Sequence, residues 1–435
     1  MKALLALCLA LLPVGWGHQV VPSPAAPMRP VVSGRPATPG LTSGPPGWDH
    51  PGYDAEDSYY NPYESMINAG SIGHLARRWS VPLRRLDPSC AGPSAPLVAG
   101  GRVFATDAMG ISAYAAGTGH LLWRFTWPAT DDSLTPRLAV SGNVLVAANG
   151  DCHSNSDPNG ALTVLDAATG RVAWQRAVDT PVFSLAVDKG VAVISGQSPS
   201  DDLTTVAFRA VDGKILWTRL GFSSSAVSAN GRLLLTHGDT TSAVAITTGA
   251  ALWTRPYAWT AQAATPASDR FLVTAGTDLL AVEAVDGALA WTAPGQAGDL
   301  IATDGRHVYR AAGRSITALD ARTGRRSWSG TLPADGDQPV RAGGLLYTGT
   351  QILDPATGAV ASPGLPGAVR PAGVASALGP AGVAGAVGPA GVAGSVASVG
   401  AAGSVASWGL ARHVVVAGGR LYAVSGSTLS AYAPG

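Results

Sequence analysis

One spacing recurs along this chain and limits its fold more than any other property: a glycine followed four residues later by a tryptophan. It pairs Gly119 with Trp123, Gly170 with Trp174, Gly213 with Trp217, Gly249 with Trp253, Gly287 with Trp291 and Gly324 with Trp328. A short run of strand character precedes each glycine, as in Ala318-Leu319-Asp320-Ala321-Arg322-Thr323-Gly324. A seventh copy, Ile352 to Gly358, lacks the tryptophan. The copies recur every ~35–50 residues, a period that belongs to propeller blades. Two more runs lie upstream in each unit, such as Leu300-Ile301-Ala302 and His307-Val308-Tyr309-Arg310, split by Asp304-Gly305. Each unit thus supplies four short strands, which make one blade. The Thr-Gly or Asp-Gly pair turns the third strand into the fourth, where glycine takes positive φ without steric cost. The tryptophan then sits on the outer strand, with a large ring to bury against the adjacent blade and an N–H to offer a carbonyl. Trp123, Trp174, Trp217, Trp253, Trp291 and Trp328 are therefore expected to dock blade on blade.

The two ends of the chain share a pattern. Ser430-Ala431-Tyr432-Ala433 is in phase with the third strands, yet the sequence reaches Gly435 with no turn or outer strand behind it. Leu75-Ala76-Arg77-Arg78-Trp79-Ser80-Val81-Pro82 reads as an outer strand without a blade. The expectation is an all-β, eight-bladed propeller of four-stranded antiparallel blades over residues 48–435. The strand around Trp79 would complete the C-terminal blade and hide sheet edges that would otherwise pair with other chains. The 55 Gly and 32 Pro agree, because both are poor inside helices.

Charge narrows the partners. The 29 Lys+Arg balance 28 Asp+Glu, and no basic run stands out. Nucleic acid and anionic lipid surfaces are disfavoured as ligands, since both are held by clustered positive charge. Lys2, the apolar run Ala3 to Val14 and the small residues of Gly15-Trp16-Gly17 read as an export signal over 1–17, cleaved near Gly17. The apolar run is too short for a retained anchor, and no later segment reads as a span, so membrane insertion is not expected. Leu7 before Cys8 does not suit a lipoprotein signal. That leaves Cys90 and Cys152, an even pair for an oxidising compartment. Residues 18–47 read as a disordered Pro-rich linker. Residues 363–407 form a Gly/Ala/Val/Pro low-complexity insertion between blades seven and eight, with Pro371, Pro380 and Pro389 each opening the same five-residue phrase. A mobile loop, cut first in limited proteolysis, is expected there.

The repeat Ala-Leu-Asp-Ala-x-Thr-Gly-x-x-x-Trp resembles that of the pyrroloquinoline-quinone (PQQ) family, the quinoprotein alcohol dehydrogenase-like propellers. The lead-in Trp48 … Gly52-Tyr53-Asp54 … Ser58 … Asn61-Pro62-Tyr63-Glu64 … Ile67 is similar to the N-terminal segment of those proteins. The resemblance implies the propeller fold. It implies either of two activities, because the same repeat serves PQQ-dependent dehydrogenases and the outer-membrane assembly scaffold that binds partner proteins. The chain departs from the enzymes. Their paired cysteines are adjacent, whereas Cys90 and Cys152 are far apart; Cys-x-x-Cys-His is absent; and no Glu, Asn and Asp set matches their calcium and base residues.

Strand alternation sorts the loops by face. First-to-second and third-to-fourth turns share one face of the ring; second-to-third turns and blade-to-blade links share the other. The long insertions fall on the second: 149–160, 196–203 and 362–407, with Cys90 in a link and Cys152 in the first insertion. A Cys90–Cys152 disulfide is therefore expected, closing a loop of about 60 residues for roughly 4 kcal/mol on the chain-entropy model. Asn155, Asp157, Asn159 and Asp166 match a calcium-loop spacing, against the simpler reading of a polar hairpin loop. His120 and His307 read as surface or packing residues, and Asp131-Asp132 and Asp201-Asp202 as solvated loop acids. Trp127 and Trp259 lie outside the repeat position and are the candidates for a glycan-binding platform. No catalytic residue and no cofactor is assigned. The expected function is a secreted, monomeric, non-catalytic scaffold that binds a protein or cell-surface polymer. The alternative is a PQQ-dependent dehydrogenase that oxidises alcohols or sugars with PQQ and calcium.

Overall fold

A computed structural model describes residues 47–154, 158–198, 202–298, 300–362 and 413–435. The segment expected to be an export signal (1–17), nearly all of the expected linker (18–47) and the insertion expected at 363–407 lie outside them. The described chain forms eight antiparallel sheets, consecutive in sequence except at the seam. The inner strands of blades 1 to 8 are Leu97–Ala99, Arg137–Ser141, Ser184–Asp188, Ser223–Ala229, Thr260–Ala264, Ile301–Thr303, Val340–Ala342 and His413–Ala417. Among the described residues the one helical element is a 3-10 turn, Ile72–His74.

Blade 8 is closed as the sequence predicts. Its outer strand is Leu75–Pro82, antiparallel to Thr428–Pro434, with Trp79 opposite Ala431. Blade 7 departs from four strands. Tyr60–Asn61 adds a fifth, parallel to its inner strand, with Tyr60 opposite Arg341 and Asn61 opposite Ala342.

The tryptophans make one joint, repeated. Trp79 donates its indole N–H to Ala116 O at 3.0 Å, Trp123 to Ala167 O at 3.2 Å, and Trp174 to Ala210 O at 2.9 Å. Trp217, Trp253, Trp291 and Trp328 donate in the same way to Ile246, Ala284, Ala321 and Pro355. Each acceptor belongs to the next blade, and each ring lies against that blade's turn glycine. A Cβ on Gly119 would come within 2.7 Å of the Trp79 ring, and one on Gly324 within 2.5 Å of the Trp291 ring. In blades 2, 6 and 7 the turn is fixed by an aspartate. Asp166 Oδ1 accepts the Thr169 N–H at 2.8 Å and the Thr169 hydroxyl at 2.7 Å, and Asp320 and Asp354 repeat this with Thr323 and Thr357. A register shift just before the tryptophan bulges the outer strand, as between Ala113 and Tyr114 opposite Trp123. Such a bulge breaks an exposed edge that could recruit a foreign strand.

The joint between blades 7 and 8 is built differently. Blade 8 has no third-to-fourth turn, since its outer strand comes from Leu75–Pro82, and blade 7 carries Ser362 where a tryptophan would stand. The lead-in fills the gap. Asn61 Nδ2 donates to Val416 O at 2.8 Å, and Glu64 accepts from the backbone of Gly419 on one oxygen and of Met66 and Ile67 on the other. Ile67 is fully buried, against Gly343 of blade 7.

Candidate functional site

The lead-in from Trp48 to Asn61 crosses the mouth of the ring and touches every blade in order. Trp48 exchanges two backbone hydrogen bonds with Val98 of blade 1. The carbonyls of Asp49, Ala55, Glu56, Ser58 and Tyr59 accept from Val140, Ser228, Ala264, Thr303 and Arg341, in blades 2, 4, 5, 6 and 7. His50 Nε2 bonds Val187 O of blade 3 at 2.7 Å, and Asn61 reaches blade 8. All these contacts lie near the end of the inner strand, before its turn. The belt therefore closes the channel on the face of the first-to-second turns.

Backbone demands set the belt's sequence. Tyr53, Asp57 and Tyr59 hold φ of 85°, 53° and 53°, a left-handed conformation that is costly outside glycine. Gly52 packs against Asp57, where a Cβ would meet the carboxylate at 2.0 Å. Trp48, 1 % exposed, donates to Pro51 O at 3.1 Å and meets Tyr53 edge to face at 5.3 Å.

The belt also concentrates charge. His50 has carbonyl and carboxylate partners, Val187 O and Asp49 Oδ1, both at 2.7 Å, and this pair of acceptors favours the protonated ring, in which both nitrogens donate. Burial opposes that charge, but the Asp49 hydrogen bond and the nearby carboxylates outweigh it, and the His50 pKa is raised. Burial pushes Asp54 up to about 7, with Glu56 adding repulsion against the hydrogen bonds from Ser58. Burial likewise pushes Asp57 up to about 6, against the pull of His50 and Arg137.

Above the belt lies a cavity of about 640 Å³. Pro51, Asp57 and Tyr59 floor it; Leu97, Arg137, Leu138, Leu185, Leu300 and Gln338, at or near the starts of inner strands, wall it. It opens on the face of the long loops, and Cys90 stands at its rim. Cys90 and Cys152 are joined in a disulfide, Cα atoms 6.3 Å apart. The bridge ties the link into blade 1 to the second-to-third loop of blade 2. Non-reducing peptide mapping is expected to recover these two cysteines in one linked fragment; two free thiols in protein purified without reductant would contradict the bridge. His153 stands 3.9 Å from the Cys90 sulfur, but a disulfide sulfur is no thiolate and makes no zinc ligand.

Other sequence candidates fall elsewhere. Asn155, Asp157 and Asp201 lie outside the described residues. Asn159 and Asp166 bracket the strand Gly160–Asp166, so about 20 Å of extended chain separates them and one calcium ion cannot take both. Asp166 is moreover committed to its turn. Trp127 and Trp259 are 4 % and 3 % exposed, which removes them as glycan platforms; they pack against Phe125 and Tyr257. Asp132 accepts the N–H groups of Cys152 and His153 at 3.0 and 2.8 Å, fixing the disulfide loop. His120 is exposed; His307 lies against Tyr309, whose hydroxyl donates to Asp304 at 3.0 Å.

The belt and the cavity escape sequence reasoning, apart from the resemblance of the lead-in. Asp57, Arg137 and Asn149 come from three separate elements, and the belt's contacts run through peptide groups that leave no residue signature. As a quinone site the cavity fits poorly. Its lining offers one carboxylate, Asp57, and one cation, Arg137. A calcium ion takes six to eight oxygens, and PQQ carries three carboxylates of its own.

The chain resembles solved structures at low identity. It superposes on a europium-containing methanol dehydrogenase with a TM-score of 0.56 and 13 % identity, covering 74 % of this chain and 85 % of that one. Against the quinohemoprotein alcohol dehydrogenase of Comamonas testosteroni the values are 0.60 and 11 %, over 89 % and 80 %. Against BamB of Moraxella catarrhalis they are 0.50 and 14 %, over 82 % and 99 %. These likenesses show the fold. No curated protein sequence matches this one. A family model described as outer membrane protein assembly factor BamB matches residues 107–242 and 236–372. That match spans more than half of the sequence, and the chain belongs to this family of PQQ-like β-propellers.

Proposed function

We propose that this protein is an exported, monomeric, non-catalytic propeller that binds a protein or a cell-surface polymer through the face bearing the long loops. One observation carries the reading: the belt crosses the channel at one face, the cavity lies on the other side of it, and among the described residues that line it Asp57 is the one acid, too few for a quinone and calcium. The disulfide supports export, with a leader removed near Gly17 and a tether over 18–47. No helix among the described residues is long and apolar enough to cross a membrane. BamB, described as an assembly factor, supports a scaffold; the two dehydrogenases keep the enzymatic alternative in view.

The experiment is direct. Purified protein is incubated with PQQ and calcium and assayed with an artificial electron acceptor across alcohols and sugars. No turnover and no quinone binding are expected. Turnover would overturn the scaffold reading and establish a PQQ-dependent dehydrogenase.

A further inference from the structure

We propose that the open half of the channel receives the carboxyl-terminal end of an extended, apolar peptide, which adds as a short strand to the inner strand of blade 2. This names the ligand class of the binding function proposed above and rests on it.

The chain already uses this mode at the closed end. Inner strands of a propeller present one edge to the channel, and the lead-in pairs with those edges: Trp48 with Val98, Tyr60–Asn61 with Arg341 and Ala342, and the Asp49 carbonyl with the Val140 N–H. Added strands are a standard way to hold peptides, with backbone bonds giving affinity and pockets giving selectivity. The belt occupies only the last residues of the inner strands. Two residues earlier, alternation turns the peptide groups of Leu138 and Leu185 toward the same channel edge, and both residues line the cavity.

Two polar side chains stand where a peptide end would place its groups. Arg137 opens the inner strand of blade 2 and makes no ion pair within 4 Å in the described structure; Asp57 acts on its guanidinium only at longer range, so a carboxylate can approach it. Asn149, on the adjoining strand, is 7 % exposed, and its Oδ1 is buried with no hydrogen-bond partner. An unpaired buried carbonyl costs free energy that a ligand N–H would recover. A side-chain amide both accepts and donates, which matches a peptide group. The rest of the wall is apolar, with Leu97, Leu134, Pro136, Leu185, Ala226 and Leu300. The volume lies in the range of small ligand sites. Asp57, on the floor, competes with an incoming carboxylate for Arg137.

The test uses the whole protein and an N-acetylated tetrapeptide of alanine, leucine and valine, as free acid and as carboxamide, titrated by calorimetry. The acid is expected to bind at least ten-fold more tightly than the amide. Arg137→Gln should abolish that preference, Asn149→Leu should weaken both forms at least five-fold, and Asp57→Asn should tighten the acid about three-fold. Circular dichroism checks that each variant is folded, which is expected of the Arg137 variant because that side chain is exposed. Equal binding of acid and amide, no saturable binding of either to wild type, or a preference that survives Arg137→Gln would overturn the proposal. The quinone assay reads the non-catalytic function separately, so each can fail alone.

Discussion

Trp79→Ala is expected to lower the unfolding free energy by about 5 kcal/mol, read as a shift of the urea midpoint. Trp79 is 9 % exposed, and truncating a buried tryptophan costs ~3–5 kcal/mol in transfer and cavity terms. The lost hydrogen bond to Ala116 O adds about 1 kcal/mol. The ring also stands 6.0 Å from Tyr422 within its own blade, so one side chain holds blade 8 together and docks it on blade 1. Trp79→Phe keeps part of the apolar surface but not the N–H, and should lose about half as much. Gly119→Val attacks the same joint from the other side, because Gly119 holds φ of 71° and a Cβ there collides with the ring. A loss below ~1 kcal/mol for Trp79→Ala, the level of ordinary surface changes, would show that the ring does not depend on this closure.

The second expectation is a protein that weakens as pH rises from 5 to 8, by on the order of 4 kcal/mol. Burial raises the folded pKa values of Asp54 and Asp57 to about 7 and about 6, both above the usual carboxylate range. Between the unfolded and folded values the native state holds the extra protons, so stability falls as pH climbs through that window. His50 acts in the same direction: its pKa is raised, so its contribution is complete below the unfolded value and is lost as pH passes the folded one. The turn aspartates Asp166, Asp320 and Asp354 act elsewhere. Hydrogen bonds from their threonines lower their pKa values, and that stability disappears only in stronger acid. Thermal melts at pH 5 and pH 8 provide the measurement. Asp54→Asn combined with Asp57→Asn should flatten most of the slope; a wild type that is equally stable at both pH values would dismiss the belt as a titrating element.

The ring was legible in the sequence because its constraint is local and repeated. Gly170 and Trp174 are four residues apart for the same steric reason as Gly324 and Trp328, and the orphan strand at Trp79 is recognisable by its missing glycine. The belt was not legible as a belt. Its bonds use the carbonyls of Asp49, Ala55, Glu56, Ser58 and Tyr59, which any residue would supply. Position outside the repeat does not report exposure: Trp127 and Trp259 are buried against Phe125 and Tyr257. The calcium spacing at Asn159 and Asp166 presumed a coiled loop, and an extended strand stretches the same spacing across the blade. Asn149 carried no signal at all: only the fold shows that its carbonyl oxygen is buried and unmatched.

Pairing of Leu75–Pro82 with Thr428–Pro434 sets an order of events during biosynthesis. Residues 75–82 leave the ribosome well before residues 428–434 and must wait for them, and the span from Trp48 to Asn61 has nothing to lie across until all eight inner edges exist. Until that pairing forms, the edge of Leu75–Pro82 stays exposed. Such long-range closure is slow. Refolding of the ring should therefore be far slower than that of a helical protein of equal length.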